Sequence, residues 1–515
     1  MERSQGLNGA TATVDRDSSP LPARAEWLAV VAILLVVGFA FQGSRPVFEP
    51  DEGRYTDVAL TMLDGGDWLV PHRDLEHEHF TKPPLTYWAL AASFELFGRN
   101  AWAARVPNAL AFVLTGLLVL GLGRRVLSLD PALAVVVWAT MLGPVVAANT
   151  VSTDTLLALW ETLAMYAWVA AQEDRGVSVR RRYIALMWAG FGLAMLTKGP
   201  PGLLPLAAIL AALLFDRDWR GLRSLVQPLG LALFITTGLG WYAWIVATRP
   251  DLAGYFLGYE VYDRLFTDVH DRNAEWYGGL RVYGLAFAVG LLPWSLLLLG
   301  SMRKARVGNG TRRGQRDPHA RLLWCWVLVP LGVFLFASSR LPLYVLPLMV
   351  PLALLIARSL SLRGVGLSRA RTRILLAIWV CALVGLKAYG AYEHGRPDRD
   401  AELFARQIAA LVSIDAVDEF AFVDAKPVYG IKLYLGRNVE LVTFHTQRSP
   451  YRSIRPLDDV CHELREPERA VFLVPADDRL QHFEATLVAC GSYEAVALGA
   501  VDEFRVFRVR AAPGA

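Results

Sequence analysis

The sequence predicts an α-helical polytopic membrane protein with a small α/β domain at its C-terminal end. Three observations lead there. Hydrophobic residues make up 54% of the 515 residues and charged residues only 19%, against roughly 25% charged in an average soluble domain. Apolar runs long enough to cross a bilayer recur between residues 26 and 391, each near the about 20 residues a spanning helix needs. Beyond residue 392 the composition becomes that of a water-soluble domain, with helical and strand periodicities in alternation.

The apolar runs lie at 26–43, 101–123, 131–148, 153–171, 183–197, 200–215, 225–247, 280–300, 322–337, 341–358 and 373–391, about 11 transmembrane helices in all. Residues 183–197 and 200–215 are short and read equally as half-spans meeting at Lys198-Gly199-Pro200-Pro201. Residues 1–24 are polar and read as a disordered cytoplasmic tail. The apolar run after this tail is too long for a signal-peptide core and is expected to remain as an anchor. Residues 25–391 form the membrane domain, with a first outer loop at 44–100. Residues 392–515 form an extracytoplasmic α/β domain. Within it, helices are expected at 401–412, 427–436 and around 455–465, and strands at 419–425, 439–444, 469–476 and 503–510.

Orientation follows from the placement of Arg and Lys. Basic connections include Arg124-Arg125, Arg180-Arg181-Arg182, Arg217 to Arg223, Arg303 to Arg321, and Arg358 to Arg373. All fall on the cytoplasmic side if the apolar stretch 84–97 lies flat on the membrane, and later ones fall outside if it crosses. The stretch therefore reads as an interfacial helix, with Tyr87 and Trp88 at headgroup depth. The N-terminus is then cytoplasmic and the C-terminal domain outside, as for a bacterial cytoplasmic (inner) membrane protein.

Composition also excludes several functions. Four Cys are too few for a disulfide scaffold, and no CxxC or Cys/His cluster suggests a metal. No P-loop or dinucleotide fingerprint is present, so neither a nucleotide cofactor nor a nucleic-acid partner is expected. Cys461 and Cys490 can pair in an oxidising compartment or remain buried thiols. Cys325 and Cys381 lie in spans and read as packing residues.

The densest chemistry opens the first outer loop at Glu49-Pro50-Asp51-Glu52-Gly53-Arg54-Tyr55. Adjacent carboxylates beside an Arg and a Tyr supply a general base with groups that tune it. The alternative is a helix start with Asp51 as N-cap. Lys82, fixed ahead of Pro83-Pro84 at the membrane surface, is placed to meet a phosphate or to snorkel. The alternation His72-Arg73-Asp74-Leu75-Glu76-His77-Glu78-His79 reads as a solvated loop rather than a zinc site. Asp154 lies at the outer end of a span, where a carboxylate marks either function or a helix's first turn. Arg264, His270, Arg272, Trp276 and Tyr277 occupy the loop 248–279, and Arg340 and Tyr344 open a later span.

Acids and cations on one face beside lipid suit an anionic, membrane-borne substrate such as a polyprenyl-phosphate-linked sugar. One carboxylate would take a proton and the cations would hold the departing phosphate.

The ordered motifs carry a resemblance. Phe48-Glu49-Pro50-Asp51-Glu52-Gly53-Arg54-Tyr55 is followed by Met62-Leu63-Asp64-Gly65-Gly66-Asp67-Trp68-Leu69-Val70-Pro71. Then come Lys82-Pro83-Pro84-Leu85-Thr86-Tyr87-Trp88, Leu96-Phe97-Gly98 and Ala104-Arg105-Val106-Pro107. The run resembles the dolichyl-phosphate-mannose–protein mannosyltransferase superfamily of GT-C fold. Its bacterial branch includes the 4-amino-4-deoxy-L-arabinose transferases of lipid A. Ser339 to Pro347 is similar to a stretch of that branch, with Arg340 in place of the usual Lys. The likeness covers the chain to about residue 350.

The resemblance implies an inverting transfer from a polyprenyl-phosphate donor of the undecaprenyl-phosphate type to a lipid, polysaccharide or protein acceptor on the outer face. It makes Asp51 and Asp154 the catalytic acids and gives the donor phosphate to Lys82, Arg54, Arg264 and Arg340. Glu52, Tyr55, Tyr87 and Tyr344 are expected around the same cavity. Flat helices in the first outer loop also belong to the family. The chain departs from the aminoarabinose transferases at Thr81, where they carry a metal-binding Glu, so no metal ligand set and no cofactor is assigned. It also has fewer spans than the thirteen expected of those enzymes. Protein O-mannosylation is the alternative acceptor reading. A lipid-linked sugar flippase is the alternative from another class, opposed by the absence of a visible repeat.

Overall fold

A computed structural model describes residues 24–74, 76–127, 130–174, 176–267, 272–297, 318–392, 399–446, 450–491 and 493–511. The expected polar tail before residue 24 and His270 lie outside these residues.

Each expected span contains helix: Arg24–Phe39, Ala101–Val126, Thr153–Glu173, Val177–Lys198, Leu204–Asp216, Gly278–Gly290, Pro318–Phe336 and Ala370–Tyr392 are the main ones. Three runs are broken or rewound. Residues 131–148 form Pro131–Thr140 and Leu142–Ala148, bent by 64°. Residues 228–248 pass through a π-helical turn at Ile235–Leu239, and Pro342–Leu348 is a 3-10 segment leading into Met349–Leu362. Among the described residues, five helices are long and apolar enough to cross a membrane, or up to 6 with the bent pair. That is fewer than the runs read from the sequence. Thr153–Glu173 carries Asp154, Glu161 and Glu173, and Val177–Lys198 begins with a row of Arg, so charge rather than length sets these two apart.

These two helices pack as an antiparallel hairpin, with Ala101–Val126 against its first arm. Close approach depends on Gly190, where a Cβ would sit 3.0 Å from the Ala164 backbone nitrogen. Gly199, at φ +80°, ends the second arm just past Lys198 and turns the chain into Pro200. The core holds Phe112 stacked on Trp138. Trp294 and Trp379 bring their indole N–H groups to the hydroxyl and carbonyl of Thr140. Leu229, Ile235, Leu285, Phe336, Ile374 and Leu386 remain exposed on the outside of the bundle, as a lipid-facing surface requires. Cys325 is buried as expected, but Cys381 is exposed.

Residues 44–100, expected as the first outer loop, contain helices Asp51–Gly65 and Leu85–Phe97, which pack together. The C-terminal domain is a five-stranded mixed sheet in the order β2-β1-β3-β5-β4. The strands are β1 Glu419–Val423, β2 Asn438–Val442, β3 Ala470–Pro475, β4 Tyr493–Val501 and β5 Phe504–Ala511. β1 pairs in parallel with β2 and β3, and β5 is antiparallel to β3 and β4. Alternation along the central strand splits the core. Phe420 and Phe422 face Phe404 and Ile408 of helix Ala401–Leu411. Ala421 and Val423 belong to the opposite layer, with Phe483 and Leu487 of helix Asp478–Cys490. That second helix and β4 are not among the elements read from the sequence. Asp477 accepts from the Arg479 N–H at the helix start and Gly491 stands at its end, the boundary signals that could have marked it. Cys461 and Cys490 form a disulfide, with Cα atoms 5.1 Å apart.

The domain docks on the first outer loop. Glu49 donates its N–H to the Arg399 carbonyl (2.9 Å) and Val47 donates to the Tyr434 hydroxyl (2.9 Å). Lys432 donates to the Thr61 hydroxyl (2.6 Å). The stretch 72–79 is not a solvated loop, since Asp74, His77 and His79 are all buried. They are covered by the C-terminal domain and by Tyr87.

Candidate active site at the outer end of the bundle

Adjacent acids at the start of helix Asp51–Gly65 have opposite surroundings. Pro50, not Asp51, is the N-cap, and no side chain caps the helix. Asp51 therefore stands free at the first position, its side chain 62% exposed, and accepts a 2.7 Å bond from Arg54. Glu52 points inward. It accepts from Arg45 (2.8 and 2.9 Å) and Arg105 (2.8 and 3.1 Å), and from the N–H groups of Phe48 and Val151. This corrects its expected place on the cavity wall: every lone pair is engaged inside the protein. It joins the loop, helix Ala101–Val126 and the chain ahead of Asp154.

Asp154 lies in the first turn of its helix and is buried. Lys198, from the far end of the next helix, donates to its carboxylate. The same ammonium lies 4.2 Å from the centroid of the Tyr344 ring. Lys198 was not among the residues expected at the site. A Lys closing an apolar run ahead of Gly-Pro-Pro repeats the signal that singled out Lys82, and could have found it.

Lys82 donates to the Thr81 carbonyl at 2.8 Å and lies 3.9 Å from Glu260. Glu260 also takes a 2.7 Å bond from Arg264, one helical turn on. Burial pushes the Lys82 amine down to about 7, opposed by Glu260 and reinforced by Arg264, Lys198 and Arg54. Burial raises the Tyr55 phenol, with Arg54 and Lys198 opposing the rise and Asp51 and Asp154 adding to it. The contacts of Arg54 with Asp51, of Lys198 with Asp154 and Tyr344, and of Glu260 with Lys82 and Arg264 make up the charged cluster. Tyr87 is fully buried behind it, 6.0 Å ring to ring from Tyr55. Its place is packing beneath the site rather than an open wall.

Arg340 departs from expectation. Its guanidinium donates to the carbonyls of Asn273 (2.7 Å), Glu275 (2.9 Å) and Leu335 (3.3 Å). These bonds anchor the loop that precedes helix Gly278–Gly290, and they leave the group committed to backbone rather than to a phosphate.

The position of the family's metal-binding Glu is held by Thr81, whose hydroxyl bonds the His79 ring nitrogen at 2.6 Å. A hydroxyl engaged in this way does not fit a divalent ion there. Two cavities lie elsewhere. One of about 470 Å³ is lined by Trp27, Leu117, Gly121, Arg124 and Trp160 within the bundle. The other, about 460 Å³, lies at the carboxyl ends of β1 and β2, with His445 and His482. Neither is lined by the charged cluster.

Residues 81–244 match the family model described as dolichyl-phosphate-mannose-protein mannosyltransferase. An undecaprenyl phosphate-alpha-4-amino-4-deoxy-L-arabinose arabinosyl transferase of Edwardsiella ictaluri is 31% identical over 394 residues, 72% of this chain and 69% of that protein. One from Sodalis glossinidius is 33% identical over 339 residues, covering 64% and 58%. The chain thus spans two thirds or less of the length of most such relatives, and just over two thirds of the first. The crystal structure of ArnT from Cupriavidus metallidurans bound to undecaprenyl phosphate has the same fold, with a TM-score of 0.72 and 21% identity, over 95% of this chain and 98% of that one.

Helical bundle, outer-loop helices and appended sheet domain together define a multi-span membrane glycosyltransferase of the GT-C class. The chain belongs to the dolichyl-phosphate-mannose–protein mannosyltransferase family, on the branch of the undecaprenyl phosphate-aminoarabinose arabinosyl transferases.

Proposed function

We propose that the protein transfers a sugar from an undecaprenyl-phosphate-type donor to a lipid-borne acceptor at the outer face of the cytoplasmic membrane. The observation that carries this reading is the convergence on Lys82. A largely buried ammonium from the first outer loop lies 3.9 Å from Glu260, which also binds Arg264. The positive charges of Arg264, Lys198 and Arg54 bear on the ammonium, with Asp51 exposed against Arg54. Such a site suits a phosphate whose lipid tail stays in the bilayer. The relatives' names point to an aminopentose as the sugar.

In the proposed reaction the acceptor oxygen attacks the anomeric carbon from the face opposite the phosphate, inverting it. The bond from that carbon to the phosphate oxygen breaks as the new one forms. Asp51 takes the acceptor's proton, or holds an already ionised acceptor in line. Lys82 and Arg264 receive the charge that develops on the leaving phosphate. The Asp154–Lys198 pair holds a second cation at the proposed donor site with the Asp154 carboxylate buried.

The same reading puts the N-terminus inside and the domain 392–515 outside, with residues 25–391 as the catalytic membrane domain. Helices Thr153–Glu173 and Val177–Lys198 and the shorter Arg24–Phe39, Leu204–Asp216 and Gly278–Gly290 then cross the membrane too, giving about eleven spans with Leu85–Phe97 at the interface. The basic connections support it, and so does the Cys461–Cys490 disulfide, which belongs in an oxidising compartment. Proteoliposomes carrying labelled undecaprenyl-phosphate aminoarabinose test the activity. Asp51→Asn should bind donor and transfer nothing, whereas Lys82→Ala should lose donor affinity. Wild-type turnover in either variant overturns the assignment.

A further inference from the structure

We propose that Asp74, His77 and Glu440 hold a divalent transition-metal ion that fastens the C-terminal domain to the first outer loop. The loop itself is well defined. His79 donates its N–H to the Pro71 carbonyl (2.7 Å) and Arg73 to the His77 carbonyl (2.9 Å), so the chain doubles back on itself. Asp74 accepts from the N–H groups of Glu76 (2.9 Å) and His77 (2.7 Å), which fixes its carboxylate at the tip.

The imidazole is oriented as a metal ligand is. Nε2 lies 2.9 Å from the Pro456 carbonyl, which can only accept, so Nε2 carries a proton. Metal-bound histidines habitually donate their second ring N–H to such a group. Nδ1 then faces the Asp74 carboxylate at 3.0 Å and the Glu440 carboxylate at 3.7 Å. In the neutral ring this nitrogen is a lone pair confronting two anions, an arrangement that needs a cation in the middle.

A second proton on the ring or a metal ion can supply that cation, and the setting of Glu440 favours the metal. Glu440 is 6% exposed and its carboxylate accepts no hydrogen bond among the described residues, so it is held toward His77 with no other cation beside it. Asp458, which approaches the other ring nitrogen at 3.5 Å, has cations of its own in Arg455 (3.5 Å) and His462 (3.2 Å).

The spacing fits as well. The three ligand atoms lie within 4.8 Å of one another. Ligands about 2.0–2.1 Å from a tetrahedral ion stand roughly 3.3–3.4 Å apart, and the observed 3.0 and 3.7 Å separations bracket that value. One imidazole nitrogen with two carboxylates suits Zn²⁺ or Mn²⁺ better than Ca²⁺, which takes oxygens only. The site is separate from the position of Thr81. It joins residues of the loop to a residue of β2, and it lies five residues before Lys82 in the chain.

Tag-free full-length protein in detergent, stripped by chelator and titrated with Co²⁺ and then Zn²⁺, tests this without any activity readout. The wild type should bind about one equivalent of Co²⁺ with visible absorption bands that Zn²⁺ abolishes. Its melting temperature should rise with Zn²⁺. His77→Asn and Glu440→Gln should each weaken Zn²⁺ binding at least about tenfold and lose the melting shift, and Asp51→Asn should keep both. Glu440→Gln preserves side-chain size and remains informative should His77→Asn fold poorly. Absence of bands and of any Zn²⁺-dependent shift in the wild type would establish an imidazolium instead and overturn the proposal. So would Zn²⁺ binding that both variants leave unchanged.

Discussion

Glu52 and Arg105, from the first outer loop and the helix that follows it, meet inside the protein through hydrogen bonds of 2.8 and 3.1 Å, with the guanidinium wholly enclosed. Arg45 completes the arrangement from the other side. One residue earlier, Asp51 projects outward with Arg54 as its partner. A helix that begins at Asp51 sends consecutive side chains about 100° apart, so the two acids cannot share a role.

This separation predicts opposite phenotypes. Glu52→Ala leaves buried guanidinium groups unpaired, which costs about 3–5 kcal/mol, and should appear as loss of folded protein in detergent thermal scans. Asp51→Asn should melt within about 0.5 kcal/mol of the wild type, as exposed substitutions do, while sugar transfer disappears. A well-folded, inactive Glu52→Ala would mean that the buried pair is not what holds the loop.

The pairing of Lys198 with Asp154 makes a second prediction. Lys198→Met removes the cation that a buried carboxylate depends on, so both stability and donor affinity should fall. Asp154→Asn should relieve the stability defect when combined with it, giving a coupling energy of about 0.5–3 kcal/mol in a double-mutant cycle. Activity should not return, because the proposed donor site would still lack its second cation. Additive stabilities would show that the two side chains do not depend on each other.

Much of this site could be read before any coordinates, and the reason lies in particular residues. Asp51, Lys82 and Asp154 sit at the borders of apolar runs, and Pro50, Pro84 and Ser152 mark helix starts beside them. Termini of apolar helices are visible as changes in composition. What could not be read was side-chain direction across the fold. Glu52 and Arg340 carry charges as suggestive as their neighbours', yet both turn inward to partners tens of residues away. His77 packs against a domain more than three hundred residues later in the chain. The helix Asp478–Cys490 was missed because DRLQHFEATLVAC mixes polar residues into a face that only the sheet reveals as buried.

The disulfide gives a third prediction. Cys461 and Cys490 are 29 residues apart, a loop for which chain entropy allows about 3–4 kcal/mol of stabilisation. Replacing both by Ser should lower the melting temperature of the C-terminal domain, and a reductant should do the same to the wild type only. Thiol titration under denaturing, non-reducing conditions should then count Cys325 and Cys381 alone.

Lys82 provides the last prediction, in which pH reports on the donor site directly. Burial, together with Arg264, Lys198 and Arg54, holds its amine at about 7, well below the ordinary value of 10.5. Between those two values the unfolded chain keeps a proton that the folded, donor-free protein has released. Stability of the empty protein should therefore rise with pH across that window as far as this group is concerned. Donor binding runs the other way. The phosphodiester of a polyprenyl-phosphate sugar stays singly anionic there and favours the charged ammonium, so affinity should weaken as pH climbs above about 7, by up to about tenfold per unit. Lys82→Arg keeps its charge throughout and should bind donor with a flat profile from pH 6.5 to about 8.5. Lys82→Met should bind weakly at every pH. Donor KM or equilibrium binding in detergent, measured for the three proteins at constant ionic strength, separates these cases. A wild-type profile that Lys82→Arg reproduces would assign the titration to another group and remove Lys82 from the phosphate.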